Sequence, residues 1–123
     1  METEQLDAGL VKHLGIRFLE VSGERVLAEL EIRDELKTLG GAIHGGSLMA
    51  LADTAGAVGV LAQGLKTATL ESKTNFFAAG LKGKVRAEST PLHKGKRTQV
   101  WQTRITSDEG RLLSLTVQTQ MIL

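Results

Sequence analysis

One carboxylate, Asp53, lies within the most apolar segment of the chain. Between Gly45 and Leu65 every other side chain is small, apolar or neutral, and no Lys or Arg stands three or four residues from Asp53. Burying an unpaired carboxylate costs on the order of several kcal/mol. We therefore interpret Asp53 as a group that performs chemistry or lines an opening. The alternative is a structural carboxylate whose partner comes from another subunit.

The sequence His44-Gly45-Gly46 stands at the start of the same segment. It leaves backbone N–H groups without side chains at a helix N-terminus, where the helix dipole favours negative charge. Such donors suit the oxyanion that forms when a carbonyl is attacked. Asp53 follows ~10 Å or more along the helix axis, at ~1.5 Å per residue. We therefore predict an intersubunit site, in which the donors of one chain face the carboxylate of a second chain.

The overall composition excludes several other kinds of chemistry. A chain of 123 residues is enough for one domain, residues 1–123, with one core. With 15 basic and 14 acidic residues, and aromatic residues at only 3%, nothing suggests a nucleic-acid partner. The absence of cysteine excludes a disulfide scaffold, a thiolate metal site and a Cys nucleophile.

Neither end of the chain nor its interior predicts contact with a membrane. The N-terminus lacks a basic start followed by an apolar run, which argues against a signal peptide. No stretch reaches 18 apolar residues without a charge. We expect a cytoplasmic domain with no membrane partner.

Hydropathy patterns predict one short helix, one long helix and about six strands. The short helix covers residues 2–14, with Leu6, Leu10 and Leu14 on one face, and ends at Gly15. Turn signals and alternation predict two strands joined at Ser22-Gly23, the second with Val26, Ala28, Leu30 and Ile32 on its apolar face. A loop at 34–46 precedes the long helix at 47–64, and four strands follow at 67–78, 82–93, 97–107 and 111–123.

The long helix determines the predicted architecture. Apolar residues occupy nearly its whole circumference, which predicts burial on all sides, and its glycines permit close approach of neighbouring elements. A flat sheet covers only one side of a helix, so a curved antiparallel sheet must wrap around it. The pattern therefore predicts an α+β hotdog fold. Small residues at Ala50, Gly56 and Ala57 suggest room beside the helix, whereas Phe76, Phe77 and Trp101 are expected to pack in the core or an interface.

The stretch GGAIHGGSLMALADTA, residues 40–55, resembles the helix motif of hotdog-fold acyl-CoA thioesterases of the phenylacetate-degradation type. The resemblance extends to ESKTNFFAAG after the helix and to PLHKGKRTQVWQTRITSDEGRLLSLTVQT near the C-terminus, and so covers most of the chain. His-Gly-Gly and Asp at this spacing, in a helix followed by four strands, form a specific signal.

The resemblance implies a function for each motif residue. Asp53 is the expected catalytic carboxylate, acting as nucleophile or as general base on water. Gly45 N–H polarises the thioester oxygen with Gly46 beside it, His44 supports the loop, and Thr69 on the following strand helps to position water. The family commonly has Asn or Gln six residues before the histidine. Here that position is Thr38, whose single hydroxyl replaces an amide and puts the orientation of water or carbonyl in doubt.

A basic turn, His93-Lys94-Gly95-Lys96-Arg97, is the second candidate site. Its charges either solvate a hairpin tip or bind the phosphates of coenzyme A, with Lys94, Lys96 and Arg97 as the expected contacts. Lys82 and Lys84 are further candidates for those phosphates.

These expectations favour hydrolysis of an acyl- or aryl-CoA thioester to the free acid and coenzyme A. No metal or redox cofactor is implied, because His44 and Asp53 alone make no plausible metal site. The expected assembly is at least a homodimer, and the family tendency is a homotetramer. One alternative is an acyl-thioester dehydratase or hydratase of the same fold, whose histidine lies in a proline-rich loop, whereas the single proline here is Pro91. The other is a non-catalytic acyl-CoA binding protein.

Overall fold

A computed structural model describes residues 2–123, which form two α-helices, two short 3-10 helices and a six-stranded sheet. The 3-10 helices cover Thr3–Leu6 and Asp34–Leu36, and the α-helices are α1, Gly9–Leu14, and α2, Gly45–Leu61. The strands are β1 Arg17–Val21, β2 Val26–Glu31, β3 Thr67–Phe76, β4 Lys84–Lys94, β5 Thr98–Ser107 and β6 Leu112–Ile122.

The sheet is antiparallel throughout, with strand order β1-β2-β4-β5-β6-β3. Helix α2 packs against β2, β3, β4, β5 and β6, so the sheet curves around it. The predicted α+β hotdog fold with one long central helix is confirmed. The order also makes β3 an edge strand, because within residues 2–123 β6 is its only partner.

The N-terminal segment differs from the predicted helix at 2–14. The structure has a 3-10 turn up to Leu6 and then the six-residue helix α1. Ala8 between them is extended, and Gly9 has φ 55, so one continuous helix cannot form. As predicted, α1 ends at Gly15, which adopts φ 78, a conformation that glycine enters at little cost. Leu10 is 59% exposed, so the predicted leucine face is only partly buried.

Two glycines of α2 allow sheet side chains to lie directly on the helix backbone. A Cβ atom on Gly59 would stand 2.3 Å from the ring of Trp101, and one on Gly56 would stand 2.6 Å from the amide carbon of Gln118. Trp101 is fully buried, as predicted for a core residue. The expected room beside Gly56 is absent, because the Gln118 amide fills it.

One strip of α2 remains uncovered, so the prediction of burial on all sides is wrong for a single chain. The strip follows the helical repeat from Gly46 to Leu61. Its members are exposed or half-buried, and most are small or apolar: Gly46, Met49, Ala50, Asp53, Thr54, Ala57 and Leu61. The cause is the position of β3 at the sheet edge, because no strand lies beyond it.

Strand β6 turns its polar side toward the helix. Ser114, Thr116, Gln118 and Gln120 are buried, whereas Leu115 and Val117 are half-buried on the outer side of the sheet. Alternating hydropathy identified the two faces of this strand but did not indicate which one faces inward. A row of buried polar groups therefore lies beneath α2.

Candidate active site

Asp53 is half-buried in the third turn of α2, and its two carboxylate oxygens have different surroundings. Oδ1 accepts hydrogen bonds from the Thr69 hydroxyl on β3 at 2.6 Å and from Gln118 Nε2 on β6 at 3.1 Å. Within residues 2–123, Oδ2 accepts no hydrogen bond and no cation pairs with the carboxylate. One oxygen is therefore held in place and the other is available for reaction.

The donors to Oδ1 belong to a longer row of side chains. Gln118 Nε2 also donates to Gln120 Oε1 at 2.7 Å, and Gln120 Nε2 donates to Thr67 Oγ1 at 2.9 Å. The Thr67 hydroxyl in turn donates to the Met121 carbonyl at 2.7 Å. Thr69 Oγ1 lies 2.7 Å from Gln120 Oε1 as well, but it carries a single proton and the carboxylate is the stronger acceptor.

Of the residues in this row, Asp53 and Thr69 were predicted from the sequence to belong to the site, whereas Gln118 and Gln120 were not. A signal was present, since alternate positions on a strand that ends the chain carry large amides. The signal was ambiguous because solvent-facing positions of a strand are also polar.

Of the N–H groups of Gly45 and Gly46 at the N-terminus of α2, only that of Gly46 has an acceptor within residues 2–123. His44 is the N-cap residue, and its Nδ1 accepts the Gly46 N–H at 2.7 Å. The His44 N–H donates to the Leu36 carbonyl at 2.7 Å, which fixes the loop against the preceding 3-10 helix. Within residues 2–123 the Gly45 N–H donates to no acceptor. Of the two predicted donors, Gly45 is therefore the one open to a ligand.

Phe76 lies against this helix terminus from the far end of β3. Its ring stands 3.0 Å from the position that a Cβ atom on Gly45 would take, and the side chain is 50% exposed. Phe76 and Phe77 were expected to pack in the core or an interface. The core alternative is wrong for both, because Phe77 is 55% exposed as well, and the interface alternative stays a prediction. An apolar ring thus borders the open N–H group of Gly45.

Thr38 lies in a loop beside His44, and both residues line an open groove of about 640 Å³. The Thr38 hydroxyl accepts the Gly40 N–H at 3.1 Å, and the Thr38 N–H donates to the Ala42 carbonyl at 2.7 Å. The hydroxyl thus stabilises its own turn. Asp53 is not among the residues that line this groove.

The two halves of the predicted site lie apart in a single chain. Gly45 contacts Phe76 at the C-terminal end of β3, whereas Asp53 contacts Thr69 near its N-terminal end. Asp53 lies eight positions after Gly45 in the helix, which corresponds to ~12 Å along the axis. A single carbonyl group cannot reach both within one chain.

The predicted phosphate-binding residues fall into two groups. Lys94 Nζ lies 2.6 Å from Glu24 Oε1, and Lys84 pairs with the buried Glu29. Lys96 and Arg97, in contrast, form no ion pair within the described part of the chain. Both are exposed at the tip of the β4–β5 hairpin.

Arg25, on the turn before β2, also has its charge engaged. It donates to Glu88 on β4, and this hydrogen bond raises the pKa of the Arg25 guanidinium. Its attraction to Glu20 acts in the same direction. Lys96 and Arg97 are thus better placed than Arg25 to receive an anionic ligand.

Residues 2–123 contain neither a candidate metal site nor a membrane-spanning helix. No group of three His, Asp or Glu side chains there has an arrangement suited to a metal ion. No helix there is long and apolar enough to cross a membrane.

The curved antiparallel sheet around one long central helix is a hotdog fold. The sequence profile of the thioesterase superfamily matches residues 40–114. The chain belongs to this superfamily, which confirms the resemblance inferred from the helix motif.

Two similar proteins are named for the same activity. The chain is 32% identical over 120 residues to a 1,4-dihydroxy-2-naphthoyl-CoA hydrolase of Escherichia coli (strain K12), covering 95% of this chain and 88% of that protein. It is 31% identical over 111 residues to a protein of the same name from Listeria monocytogenes, covering 87% and 89%.

Solved structures agree with this assignment. A thioesterase from Haemophilus influenzae superimposes with a TM-score of 0.92 at 28% identity, covering 98% of this chain and 87% of that one. A putative esterase from Mycobacterium tuberculosis gives a TM-score of 0.89 at 27% identity, covering 93% and 95%.

Proposed function

We propose that this protein hydrolyses an acyl- or aryl-CoA thioester to the free acid and coenzyme A, at a site shared by two copies of the chain. The observation that carries the proposal is the asymmetry of the Asp53 carboxylate. Two donors hold Oδ1, and Oδ2 is left open on the uncovered strip of α2. The carboxylate therefore presents one oxygen, Oδ2, to the thioester carbonyl or to water.

Asp53 supports two chemical routes. In the first, Oδ2 attacks the thioester carbonyl, the coenzyme A thiolate leaves and takes up a proton, and water hydrolyses the resulting mixed anhydride. In the second, Oδ2 removes a proton from water, which attacks the carbonyl directly; the C–S bond then breaks, and the coenzyme A thiolate leaves and takes up the proton from Asp53. In both routes negative charge develops on the carbonyl oxygen, and a Gly45 N–H at a helix N-terminus stabilises it. Neither route uses a metal or redox cofactor.

The second copy is needed because Gly45 and Asp53 of one chain are too far apart. Strand β3 is an open edge ten residues long, and the uncovered strip of α2 runs beside it. An edge of this kind pairs readily with another strand. Two β3 strands that pair antiparallel about a two-fold axis bring the Thr69 end of one chain to the Phe76 end of the other. Asp53 of one chain thereby approaches Gly45 of the partner subunit.

Charges on β3 favour one register for that pairing. A two-fold axis at Ser72 sets Glu71 opposite Lys73 of the partner subunit, and the symmetry repeats the pair. Glu71 and Lys73 are both exposed and form no ion pair within residues 2–123. A directly opposed pair of opposite charges contributes roughly 0.2–1 kcal/mol. We propose such a dimer as the minimal active unit, and a tetramer made of two of these dimers.

The relatives named 1,4-dihydroxy-2-naphthoyl-CoA hydrolase make an aromatic acyl group the first to test. The exposed ring of Phe76, beside the Gly45 N–H, offers a flat apolar surface to such a group. We assign the coenzyme A phosphates to Lys96 and Arg97, whose charges are not engaged by acidic side chains. Lys94 is engaged by Glu24 and makes a weaker contribution.

The test is release of free thiol from aryl-, short-chain and long-chain acyl-CoA esters, with Asp53→Asn measured beside the wild type. The Asn side chain keeps an oxygen that accepts from Thr69 and Gln118 but lacks the charge. We expect kcat on the best substrate to fall by about 10²–10⁴-fold with the fold unchanged. A variant as fast as the wild type would refute the mechanism. Binding of coenzyme A analogues without hydrolysis of any ester would instead identify a binding protein.

A further inference from the structure

We infer that Gln118 is a positioning residue that fixes the orientation of the Asp53 carboxylate, so that Oδ2 is the oxygen that reacts. The inference rests on the proposed function and extends it from the carboxylate to the strand beneath. Gln118 does not touch the substrate in this arrangement, because it is 1% exposed and lies under α2.

The first argument is the distribution of donors around Asp53. A carboxylate on a helix can rotate about its side-chain bonds unless its oxygens are held. Thr69 and Gln118 approach the same oxygen, Oδ1, from two different strands. Two donors from β3 and β6 prevent rotation that a single donor would permit. Asp53 is itself a half-buried member of the uncovered strip, and its Oδ2 accepts no hydrogen bond within residues 2–123.

The second argument is the orientation of the Gln118 amide. Its NH₂ group donates to Gln120 Oε1 at 2.7 Å and to Asp53, where Nε2 lies 3.1 Å from Oδ1 and 3.3 Å from the main-chain carbonyl oxygen. Its Oε1 is buried and accepts from no donor within residues 2–123. If the amide were reversed, Gln118 Oε1 would face Asp53 Oδ1 and Gln120 Oε1. Repulsion between these oxygen atoms makes the reversed orientation unfavourable. The orientation that directs the NH₂ group at Asp53 and Gln120 therefore leaves Gln118 Oε1 without a hydrogen-bond donor within residues 2–123.

A second glutamine cluster in the same sheet shows what a purely structural arrangement looks like. Gln99 and Gln63 exchange hydrogen bonds at 2.9 and 3.0 Å, and Trp101 Nε1 donates to Gln99 Oε1 at 3.0 Å. Gln63 Nε2 also donates to the Gly59 carbonyl. Every amide group of that cluster has a partner, and no carboxylate is involved. Gln118 differs from this cluster in two respects: its Nε2 donates to a carboxylate, and its Oε1 has no donor within residues 2–123.

Gly56 supports the inference independently. A Cβ atom at this position would stand 2.6, 2.7 and 2.8 Å from the carbon, oxygen and nitrogen of the Gln118 amide. The amide therefore lies flat against the helix backbone, one turn after Asp53. Any larger residue at Gly56 would displace it. Glycine in the middle of a helix is otherwise unfavourable.

The main experiment compares Gln118→Met with Gln99→Met. Methionine has a similar volume and no amide, so each variant removes one buried glutamine from the sheet. We expect Gln118→Met to lower kcat by about 10-fold or more while KM changes by less than about 3-fold, because only a group held for the chemical step is lost. Gln99→Met, whose side chain does not contact Asp53, keeps the wild-type kcat at temperatures where it remains folded.

A second variant, Gln118→Glu, gives a readout that a structural contribution would not produce. The introduced carboxyl donates to Asp53 only when it is protonated, and repels it when both are ionised. We therefore expect the activity of Gln118→Glu to fall with rising pH, relative to the wild type at each pH. A constant ratio of the two activities across the pH range contradicts the inference.

Crystal structures of the wild type and Gln118→Met separate failure of this inference from failure of the proposed function. If the wild type hydrolyses no thioester, the proposed function is wrong, and the orientation of Asp53 still answers the question. We expect one carboxylate orientation in the wild type and a rotated or divided one in Gln118→Met. An identical orientation in both, or a kcat within about 2-fold of the wild type, overturns the inference.

Discussion

The hydroxyl of Thr69 lies 2.6 Å from Oδ1 of Asp53 and joins the edge strand β3 to the central helix. A hydrogen bond to an ionised group is shorter and roughly twice as strong as a neutral one. Thr69 is 16 residues after Asp53 in the sequence, so the contact depends on how β3 returns along the helix. The edge strand of the sheet thus also holds the carboxylate of the helix.

Replacing Thr69 by Val removes this donor and keeps the β-branched shape that suits a strand. We expect kcat to fall about 10-fold or more, since hydrogen bonds to charged groups contribute roughly 1.5–3 kcal/mol. Steady-state kinetics on the best thioester substrate measures the effect. Thr74→Val is the matched control, because Thr74 on the same strand bonds to Thr116 and not to Asp53. Equal losses in the two variants would contradict a specific contribution of Thr69.

Gly45→Pro tests the backbone donor, because proline lacks an N–H. Proline is well tolerated at the first position of a helix. His44, with φ −64 and ψ 134, already has the conformation required before proline. We expect the helix to persist and kcat to fall about 10²–10³-fold, as for loss of one oxyanion donor.

Gly45→Ala is the control for the proline variant. Both introduce a Cβ atom near the Phe76 ring, but only alanine retains the N–H. The ring is half-exposed and has room to move, so we expect a loss of less than about 10-fold. If alanine proves as damaging as proline, crowding at Phe76 explains the result and the N–H does not.

Hybrid dimers of two inactive variants test whether the site spans two chains. One chain carries Asp53→Asn and the other Gly45→Pro, and two different affinity tags allow the hybrid to be purified. A shared site leaves one intact pair per dimer, formed by Gly45 of the first chain and Asp53 of the second. We expect about half of the wild-type activity, as the two-fold symmetry of a dimer requires. Recovery of no activity would place both groups in one chain.

The order and type of most elements could be predicted because hydropathy periods are local. The long helix begins at Gly45, two residues before the predicted start, and all six strands lie where alternation and turns indicated them. Asp53 could be identified because a charge inside an apolar helix needs an explanation. The exception is the first segment, where Ala8 is extended and Gly9 has φ 55, so the helix predicted from the leucine pattern is interrupted.

Relations between distant elements were not accessible in the same way. Alternation along β6 separates two faces, but the inward polar face depends on contacts with distant residues, such as that of Gln118 with Asp53, 65 residues away. The uncovered strip of α2 could not be predicted for a similar reason, because it depends on which elements cover the helix in the folded chain. An apolar helix surface has the same composition whether its own sheet covers it or a second chain does.

Gly59 and Gly56 predict different consequences of the same substitution. Alanine at Gly59 meets the ring of Trp101 at 2.3 Å, and that ring is fully buried with its Nε1 bonded to Gln99. We expect Gly59→Ala to destabilise the fold by about 1–3 kcal/mol from overpacking, measured by urea unfolding. Alanine at Gly56 displaces the Gln118 amide, so we expect Gly56→Ala to lower kcat more than Gly59→Ala does. The reverse order would contradict this division.

Removing the charges of Lys96 and Arg97 tests how coenzyme A is bound. Both side chains are exposed at the hairpin tip and contact neither Asp53 nor Gly45, so we expect the double variant Lys96→Ala with Arg97→Ala to affect binding. We expect KM for the thioester to rise about 5–50-fold with kcat little changed, because binding that is equal in ground and transition states alters only KM. Salt has a smaller effect on the KM of the variant than on that of the wild type. Lys12→Ala with Arg111→Ala removes two exposed charges elsewhere and is the control. An unchanged KM in the hairpin variant would show that other cations receive the phosphates.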